Sequence, residues 1–529
     1  MFIKILLLAI FFAVTLFVGF YFRKKATSVY DFVLGGRNVG PWITAFSFGT
    51  SYFSAVIFVG FAGQFGWRFG TAATWIGLGN AFIGALLAWN ILGRRTRIMT
   101  NHLGSATMPA FLGTRFNSNA LKIGASLIVF LFLIPYTASL YNGLSRLFEM
   151  AFGIDFIWCI VGIAVLTAIY VVAGGYLGQA VNDFIQGIVM LVGIVVITAA
   201  VLNDNGGFLN ALQGLSNVEA ANVNGVTQPG VLTSFFGPDP IALLGVVILT
   251  SLGTWGLPHM VARFYSIKSE KMIKKGTIIS TIFAVVVAGG CYFLGSFGRL
   301  YGDVVVRNPE TGAVAFDSII PKMLEGFPNL LIGLVLVLVF AASMSTLSSL
   351  VIASSSTLTL DFLKGNVFKK MKEKSQLLTI RVLIVVFIIL SSAIAVFQYQ
   401  SKGTVIWIAQ LMGISWGALA GAFLAPFLYG LFWKGVTKAA VWCNFAFSVT
   451  VMVSNIVLKL FLPDVFVNYF PKLLQDGINC GAFVMLAGLI IVPVVSLFTK
   501  KPDKEFVDDC FSCYEETVEV KVSTDLGDK

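Results

Sequence analysis

Long apolar segments alternate with short polar ones along most of the chain. A helix that crosses a membrane needs about 20 mostly apolar residues. Backbone groups in a bilayer must be paired within the spanning segment, so these segments predict helices and an all-α integral membrane protein. Thirteen segments qualify: 3–22, 40–66, 69–93, 119–148, 155–174, 183–202, 240–262, 276–298, 326–360, 377–398, 403–431, 436–458 and 478–499.

Two of these segments are interrupted by glycine and small polar residues. Segment 40–66 carries Gly49 and Thr50 near its middle, and segment 240–262 carries Gly256 and Pro258. Glycine weakens a helix and proline removes a backbone donor, so both segments are predicted to break inside the membrane. Either glycine cluster alone could simply allow close helix packing. The two segments are five spans apart, however, and this separation favours two inverted five-helix repeats, each of which begins with a broken helix.

The repeat predicts how the chain is organised. The predicted units are an extra N-terminal helix and loop (1–37), the first repeat (38–202), an extracellular loop (203–239), the second repeat (240–431), C-terminal transmembrane helices (432–499) and a cytoplasmic tail (500–529).

The basic residues predict the orientation in the membrane. They follow spans 1, 3, 7 and 9, whereas 203–239 contains no Lys or Arg. Loops rich in Lys and Arg face the cytoplasm. The sequence therefore predicts a multi-pass protein of the cell membrane with its N-terminus outside and its C-terminus in the cytoplasm.

Composition agrees with this interpretation. Hydrophobic residues make up 57% of the chain and the mean hydropathy is +0.88, more apolar surface than a soluble globule buries. The net charge of +11 suits contact with anionic membrane lipid, and it gives no reason to expect a nucleic acid partner.

Most enzyme classes lack support in the sequence. There is no Gly-rich phosphate-binding motif for ATP, and the only histidines are His102 and His259. The pair Cys510 and Cys513 is a lone C-x-x-C motif, which is weak support for metal or redox chemistry and favours a solvated tail. A transporter, and not an enzyme, is predicted; a channel or a solute-sensing receptor remains an alternative.

Segment 326–360 carries an unusual set of hydroxyl groups. Ala342, Ser345, Thr346 and Ser349 fall at i, i+3, i+4 and i+7, along one face of a helix. Such hydroxyls could bond their own helix carbonyls in tight interfaces. They could equally join the free carbonyls of a broken neighbour around a hard cation, which prefers oxygen ligands.

Four motifs occur in order along these spans: "YDFVLGGRNVGPWITAFSFGTSYFSA", "GGYLGQAVNDFIQG", "GLPHMVARF" and "AASMSTLSSL". As a set they resemble the sodium:solute symporter family, most closely its proline-symporter branch. The resemblance implies a core of ten helices in two inverted repeats, alternating access around a central site, and Na⁺ as the coupling ion.

The resemblance also implies where sodium binds. It places the principal site on the backbone carbonyls of Thr50, Phe53 and Ala342 and the hydroxyls of Ser345 and Thr346. A second cation site, found in some members, maps onto Asp183, Ser345, Ser348 and Ser349. Asp183 alone could instead be the N-cap of span 183–202.

The solute site is implied in the same way, on the first, third, sixth and tenth core helices. Where the proline branch has Asp and Trp, this chain has Tyr52 and Thr250, so a sugar, a pantothenate-like compound or a monocarboxylate remains open beside a proline-like amino acid. The predicted function is sodium symport of a small organic solute, with proton coupling as an alternative. The implied solute residues are Ser51, Ser54, Tyr136, Thr250, Thr254, Trp255 and Trp416.

Overall fold

Helices form nearly all of the regular structure in the computed structural model, which describes residues 2–25, 28–307, 312, 314–368, 370–400 and 408–515. Residues 403–407 of the predicted span 403–431 and 516–529 of the predicted tail lie outside this part of the chain. Two short strands, Ala220–Ala221 and Thr227–Gln228, pair antiparallel within the loop 203–239. The all-α prediction is otherwise confirmed.

The long helices are Phe2–Phe22, Pro41–Tyr52, 56–69, 74–102, Asn119–Phe152, Phe156–Asp204, Pro240–Trp255, Pro258–Ser266, Glu270–Tyr301, Asn329–Thr357, Glu373–Gln400, Ile408–Phe432, Lys438–Phe461 and Gly477–Phe498. Shorter helices are Val29–Leu34, Met108–Arg115, Phe208–Asn217, Ile319–Leu324, Pro463–Tyr469, Lys472–Gln475 and Lys504–Ser512.

Some of the predicted spans follow one another within longer helical runs. Among the described residues, ten helices are long and apolar enough to cross a membrane, and one bent pair makes eleven. The runs Val56–His102 and Phe156–Asp204 contain 47 and 49 residues, which at 1.5 Å per residue is about 70 Å, twice the thickness of the hydrocarbon layer. Each run therefore covers parts of two predicted segments. Phe156–Asp204 bends at Gly175, whose φ of 55° is accessible mainly to glycine.

Both predicted helix breaks are present. Helix Pro41–Tyr52 ends before Phe53, which is extended, and the chain is helical again from Val56. The second break separates Pro240–Trp255 from Pro258–Ser266, which meet at an angle of 40°. We refer to these pairs as the first and second broken helices.

The hydroxyl-rich helix Asn329–Thr357 lies at the centre of the bundle. In the most apolar window of this span 89% of residues are buried, compared with 28% for Phe2–Phe22 at the periphery. It packs against the first broken helix and against Asn119–Phe152 and Phe156–Asp204. We call it the hydroxyl helix; its position brings its Ser and Thr side chains to the first break.

The tail folds back on the bundle. Cys510 in helix Lys504–Ser512 and Cys513 directly after it are buried, and Lys434 Nζ pairs with Asp508 Oδ1 at 2.7 Å. The prediction of a solvated tail is therefore wrong for this segment, because one face of the helix is apolar and packs against the protein.

Candidate functional site

A cluster of oxygen atoms forms where the hydroxyl helix passes the first break. Thr346 Oγ1 lies 3.2 Å from the carbonyl oxygen of Thr50, 3.3 Å from that of Phe53 and 3.2 Å from that of Ala342. Ser345 Oγ donates to Thr50 Oγ1 at 2.8 Å. All five residues are buried. The structure thus brings together every residue that the resemblance implied for the principal sodium site, and we call it the oxygen cluster.

The helix break explains why the carbonyls of Thr50 and Phe53 have no helical donor, whereas the Ala342 carbonyl lies inside the hydroxyl helix and accepts from Thr346 Oγ1 four residues further on. The last four carbonyls of a helix have no donor from the following turn, and Thr50 lies in the last turn of Pro41–Tyr52. The extended backbone of Phe53 turns its carbonyl away from a helical path. Thr346 has one hydroxyl proton and can donate it to one carbonyl at a time. Three carbonyls around one proton donor make a site that attracts a cation.

A second polar network surrounds Asp183. Its carboxylate accepts a hydrogen bond from Ser47, and Arg263 Nη2 lies 3.6 Å from Asp183 Oδ2. Arg263 Nη2 also donates to Ser349 Oγ at 2.5 Å and to Ser51 Oγ at 2.9 Å. Asp183 and Ser349 are therefore joined through a buried guanidinium group.

The remaining residues of the implied second cation site lie on the hydroxyl helix. Ser348 accepts a hydrogen bond from Tyr170 at 3.1 Å, and both Ser348 and Ser349 donate to the carbonyl of Ser345 at 2.9 Å. Asp183 itself lies within the helical part of Phe156–Asp204 that follows Gly175. The N-cap interpretation of Asp183 is therefore wrong.

Aromatic side chains gather beside the oxygen cluster. The Tyr136 ring lies 5.9 Å from Trp416 and 5.9 Å from His259, and the Tyr52 ring lies 5.7 Å from Trp416. Within the described residues, buried polar atoms with no hydrogen-bond partner occur on Tyr136, Trp416, Ser54 and both ring nitrogens of His259. Buried polar groups are normally paired, so this group, which we call the aromatic site, is suited to a ligand that pairs them.

In the other implied solute residues, the polar side-chain atoms already form hydrogen bonds to groups of the protein. Thr250 Oγ1 donates to the Val246 carbonyl at 2.8 Å, Thr254 Oγ1 to that of Ser251 at 2.8 Å, and Trp255 Nε1 to that of Ile83 at 3.0 Å. Ser51 belongs to the Arg263 network. Of the seven implied residues, Ser54, Tyr136 and Trp416 carry unpartnered polar atoms in the aromatic site.

Sequence reasoning missed several residues of these networks. Arg263 and His259 both lie in the motif "GLPHMVARF", and Gln179, which donates to Ser349 at 2.6 Å, lies in "GGYLGQAVNDFIQG". A charged side chain inside a membrane segment usually marks a functional pathway. Arg263 could therefore have been predicted as a functional residue from the sequence, whereas the residues that it contacts could not.

Comparison with known proteins adds independent findings. The sequence model of the sodium:solute symporter family matches residues 32–445. Sodium/proline symporters of Staphylococcus aureus, strains JH9 and JH1, are 31% identical over 514 residues, which cover 94% of this chain and 93% of theirs.

Two solved structures share the fold. A Na⁺-coupled sialic acid symporter matches 95% of this chain and 99% of its own with a TM-score of 0.70 and 20% identity. Mhp1, a transporter of the nucleobase-cation-symport-1 family, matches 90% of this chain and 97% of its own with a TM-score of 0.52 and 14% identity.

Proposed function

Because this chain belongs to the sodium:solute symporter family, we propose that the oxygen cluster binds the sodium ion that drives its transport. The chain is a multi-pass membrane transporter that couples movement of a small solute to sodium. Neutral carbonyl and hydroxyl oxygens suit a hard monovalent cation, which needs little charge compensation. The observation that carries the assignment is the convergence of three carbonyls on the single hydroxyl of Thr346.

The ligands of this site come from both predicted repeats. Thr50 and Phe53 lie in the first, and Ala342, Ser345 and Thr346 in the second. A bound ion therefore stabilises the arrangement in which the two repeats touch at this point, and its release permits them to separate. This is the differential binding that alternating access requires.

We assign the solute to the aromatic site. Trp416 Nε1 can only donate a hydrogen bond, whereas the hydroxyls of Tyr136 and Ser54 can donate or accept. A small solute with an apolar body and a carboxylate or hydroxyl group would pair these atoms and pack against the rings. A proline-like amino acid is the first candidate, since similar proteins are sodium/proline symporters; a sugar, a pantothenate-like compound or a monocarboxylate is the alternative.

A thermal-shift screen of solutes tests both assignments. Each solute is added to the purified protein in sodium buffer and in choline buffer. Linkage requires the transported solute to raise the melting temperature more in sodium. If a solute that is transported with sodium gave equal stabilisation in both buffers, the coupling between the oxygen cluster and the aromatic site would be wrong.

We further propose a second cation at Asp183, Ser345, Ser348 and Ser349. The carboxylate supplies the negative charge that a second ion beside the first would need. Arg263, 3.6 Å from Asp183, competes for the same carboxylate. Occupation by a cation therefore requires Arg263 to turn towards the other groups it contacts, Ser51 and the ring of Tyr176.

The cellular placement completes the proposal: the cell membrane, with the N-terminus outside, the C-terminus in the cytoplasm, and transport rather than catalysis as the activity. An impermeant thiol reagent tests the orientation on intact cells, in a background without reactive cysteines. Ser216→Cys in the loop 203–239 should be labelled and Lys370→Cys should be protected. The reverse pattern would invert the proposed topology.

A further inference from the structure

A buried asparagine lies between the two broken helices. Asn80 belongs to helix 74–102. Its amide group donates a hydrogen bond to the hydroxyl of Tyr52, and its oxygen atom Oδ1 accepts one from Ser251 Oγ at 3.1 Å. Tyr52 is the last helical residue before the first break, and Ser251 lies close to the second. One side chain on a third helix therefore contacts both broken helices.

Tyr52 lies between two residues whose carbonyls belong to the oxygen cluster. Thr50 comes two residues before it, and Phe53 follows it directly. The Phe53 carbonyl lies 3.3 Å from Thr346 Oγ1. Because Phe53 is extended, no helical turn holds this carbonyl in place. Its direction depends on how the chain is anchored before and after the break.

The break has one side-chain anchor at each end. After the break, the backbone N–H of Ala55 donates to Ser343 Oγ of the hydroxyl helix at 2.9 Å. Before the break, the hydroxyl of Tyr52 is held by Asn80. The two anchors belong to different helices, so the extended segment between them is fixed from both ends.

The surroundings of Tyr52 increase the importance of its hydrogen bond. Tyr52, Phe53 and Asn80 line a small cavity whose other lining residues are mostly apolar. A ring beside a void has no contacting atoms on that side, so packing restrains it less than a fully surrounded ring. Leaving a hydroxyl or an amide without a partner in an apolar interior is also unfavourable. Both effects favour the conformation in which Asn80 and Tyr52 stay paired.

We propose that Asn80 is a positioning residue for the sodium ion. It does not contact the ion. It fixes the side chain of Tyr52, and through the backbone of Tyr52 it directs the carbonyl of Phe53 towards the oxygen cluster. The inference rests on the proposed sodium site at that cluster, and it extends the site to helix 74–102, none of whose residues belongs to either implied cation site.

A purely structural role is the alternative, because asparagine side chains also join helices in membranes by hydrogen bonds. Loss of such a bond lowers the melting temperature but leaves the affinity for an ion unchanged. A positioning role requires the sodium affinity to change as well. The two roles therefore differ in a quantity that sodium alone reports, without any solute.

The test measures melting of the full-length protein in detergent while NaCl replaces choline chloride at constant ionic strength. Sodium should raise the melting temperature of the wild type. Asn80→Leu removes the amide with little change in volume, and Tyr52→Phe removes only the hydroxyl. Each change should raise the sodium concentration for half the shift about two- to tenfold, as expected for one neutral hydrogen bond. The double variant should stay within about twofold of Tyr52→Phe, because both changes remove the same bond.

Asn455→Leu is the matched control. Asn455 is also buried, and its amide group donates to the Leu474 carbonyl at 2.7 Å, between two C-terminal helices. Loss of this bond should lower the melting temperature. The sodium concentration for half the shift should stay within about twofold of the wild-type value, since no residue of the oxygen cluster is touched.

Three outcomes would overturn the proposal. A wild type without a sodium-dependent shift would exclude the oxygen cluster as a sodium site, and the positioning role with it. A sodium-dependent shift in the wild type with the same midpoint in Tyr52→Phe would exclude the positioning role alone. Tyr52→Phe keeps the ring, so this comparison decides the matter even where Asn80→Leu does not fold. Effects that multiply in the double variant would show that Asn80 does not act through Tyr52.

Discussion

Both broken helices free backbone groups inside the bundle, but these groups find different hydrogen-bond partners at the two breaks. At the first break, carbonyls of Thr50 and Phe53 converge on Thr346 of the hydroxyl helix. At the second break, the N–H of Gly256 donates to the Gly253 carbonyl at 3.0 Å, and Thr254 donates to Ser251. At the first break, carbonyl oxygens therefore meet a distant hydroxyl group. At the second break, Gly256 bonds within its own segment, and the side chains of Thr254 and Trp255 donate to carbonyls of Gly84 and Ile83.

Packing shows the same contrast. A Cβ added at Gly256 would lie 2.8 Å from the Leu424 backbone nitrogen and 3.0 Å from Ala420 Cα, so this glycine permits close approach of helix Ile408–Phe432. A broken helix in a membrane protein is therefore not by itself a cation site. What distinguishes the first break is an excess of carbonyl acceptors over proton donors.

The largest expected effect concerns Asp183, which accepts a hydrogen bond from the first broken helix but lies outside the oxygen cluster. If it holds a second cation, Asp183→Asn should remove one coupled charge per solute. Each charge that crosses 100 mV contributes about 2.3 kcal/mol, so the attainable solute gradient should fall about fiftyfold. The measurement is the charge moved per transported solute in proteoliposomes, compared between the wild type and Asp183→Asn. A wild-type value of one cation per neutral solute would exclude the second ion.

Thr346→Ala tests the oxygen cluster directly. Loss of a ligand from a buried cation costs about 1.5–3 kcal/mol, so the sodium concentration for half-maximal uptake should rise about tenfold or more. Ser345→Ala should act in the same direction. Thr254→Ala, at the second break, should leave the sodium dependence within about twofold, whatever its effect on the solute. Unchanged sodium dependence in both Thr346→Ala and Ser345→Ala would remove the site from the hydroxyl helix.

Gly256→Ala tests the packing role of the second break. The methyl group would meet backbone atoms that cannot move independently, and overpacking of this kind costs about 1–3 kcal/mol. The melting temperature should fall. The matched control is Gly162→Ala on helix Phe156–Asp204, where an added Cβ meets nothing within 4 Å and the helix propensity of alanine is favourable. Equal melting of the two variants would contradict the packing assignment.

Tyr136→Phe should have the smallest effect. It removes a hydroxyl that a solute would pair, and a neutral hydrogen bond contributes about 0.5–1.5 kcal/mol, so the KM for solute should rise about fivefold with the sodium dependence unchanged. Tyr141→Phe removes another buried, unpartnered hydroxyl from the same helix, away from Trp416 and His259. If Tyr141→Phe raised KM as much, the aromatic site would be in the wrong place.

The two helix breaks and the hydroxyl face of helix Asn329–Thr357 could be predicted from the sequence because both depend on residues that are close together in the chain. Glycine and proline weaken the helical turn in which they lie. The period of a helix determines which hydroxyl groups share a face with Ala342. The backbone conformation of Gly175, where two helices meet without a long loop, was not predicted, since nothing in the local sequence distinguishes its positive φ from an ordinary helical turn. The pairing of Arg263 with Asp183 depends on how distant helices pack, and no single segment contains that information.

Thr50 and Ser345 lie 295 positions apart in the chain. During synthesis the first broken helix enters the membrane long before its partner exists, because chains are made from the N-terminus onwards. Until the hydroxyl helix has been inserted, the carbonyls at Thr50 and Phe53 lack Thr346 and Ala342 beside them, and sodium has no complete set of ligands to bind. Protection by sodium against heat or protease thus marks the moment at which the hydroxyl helix has packed against the first broken helix, and it can be used to time this step of biogenesis.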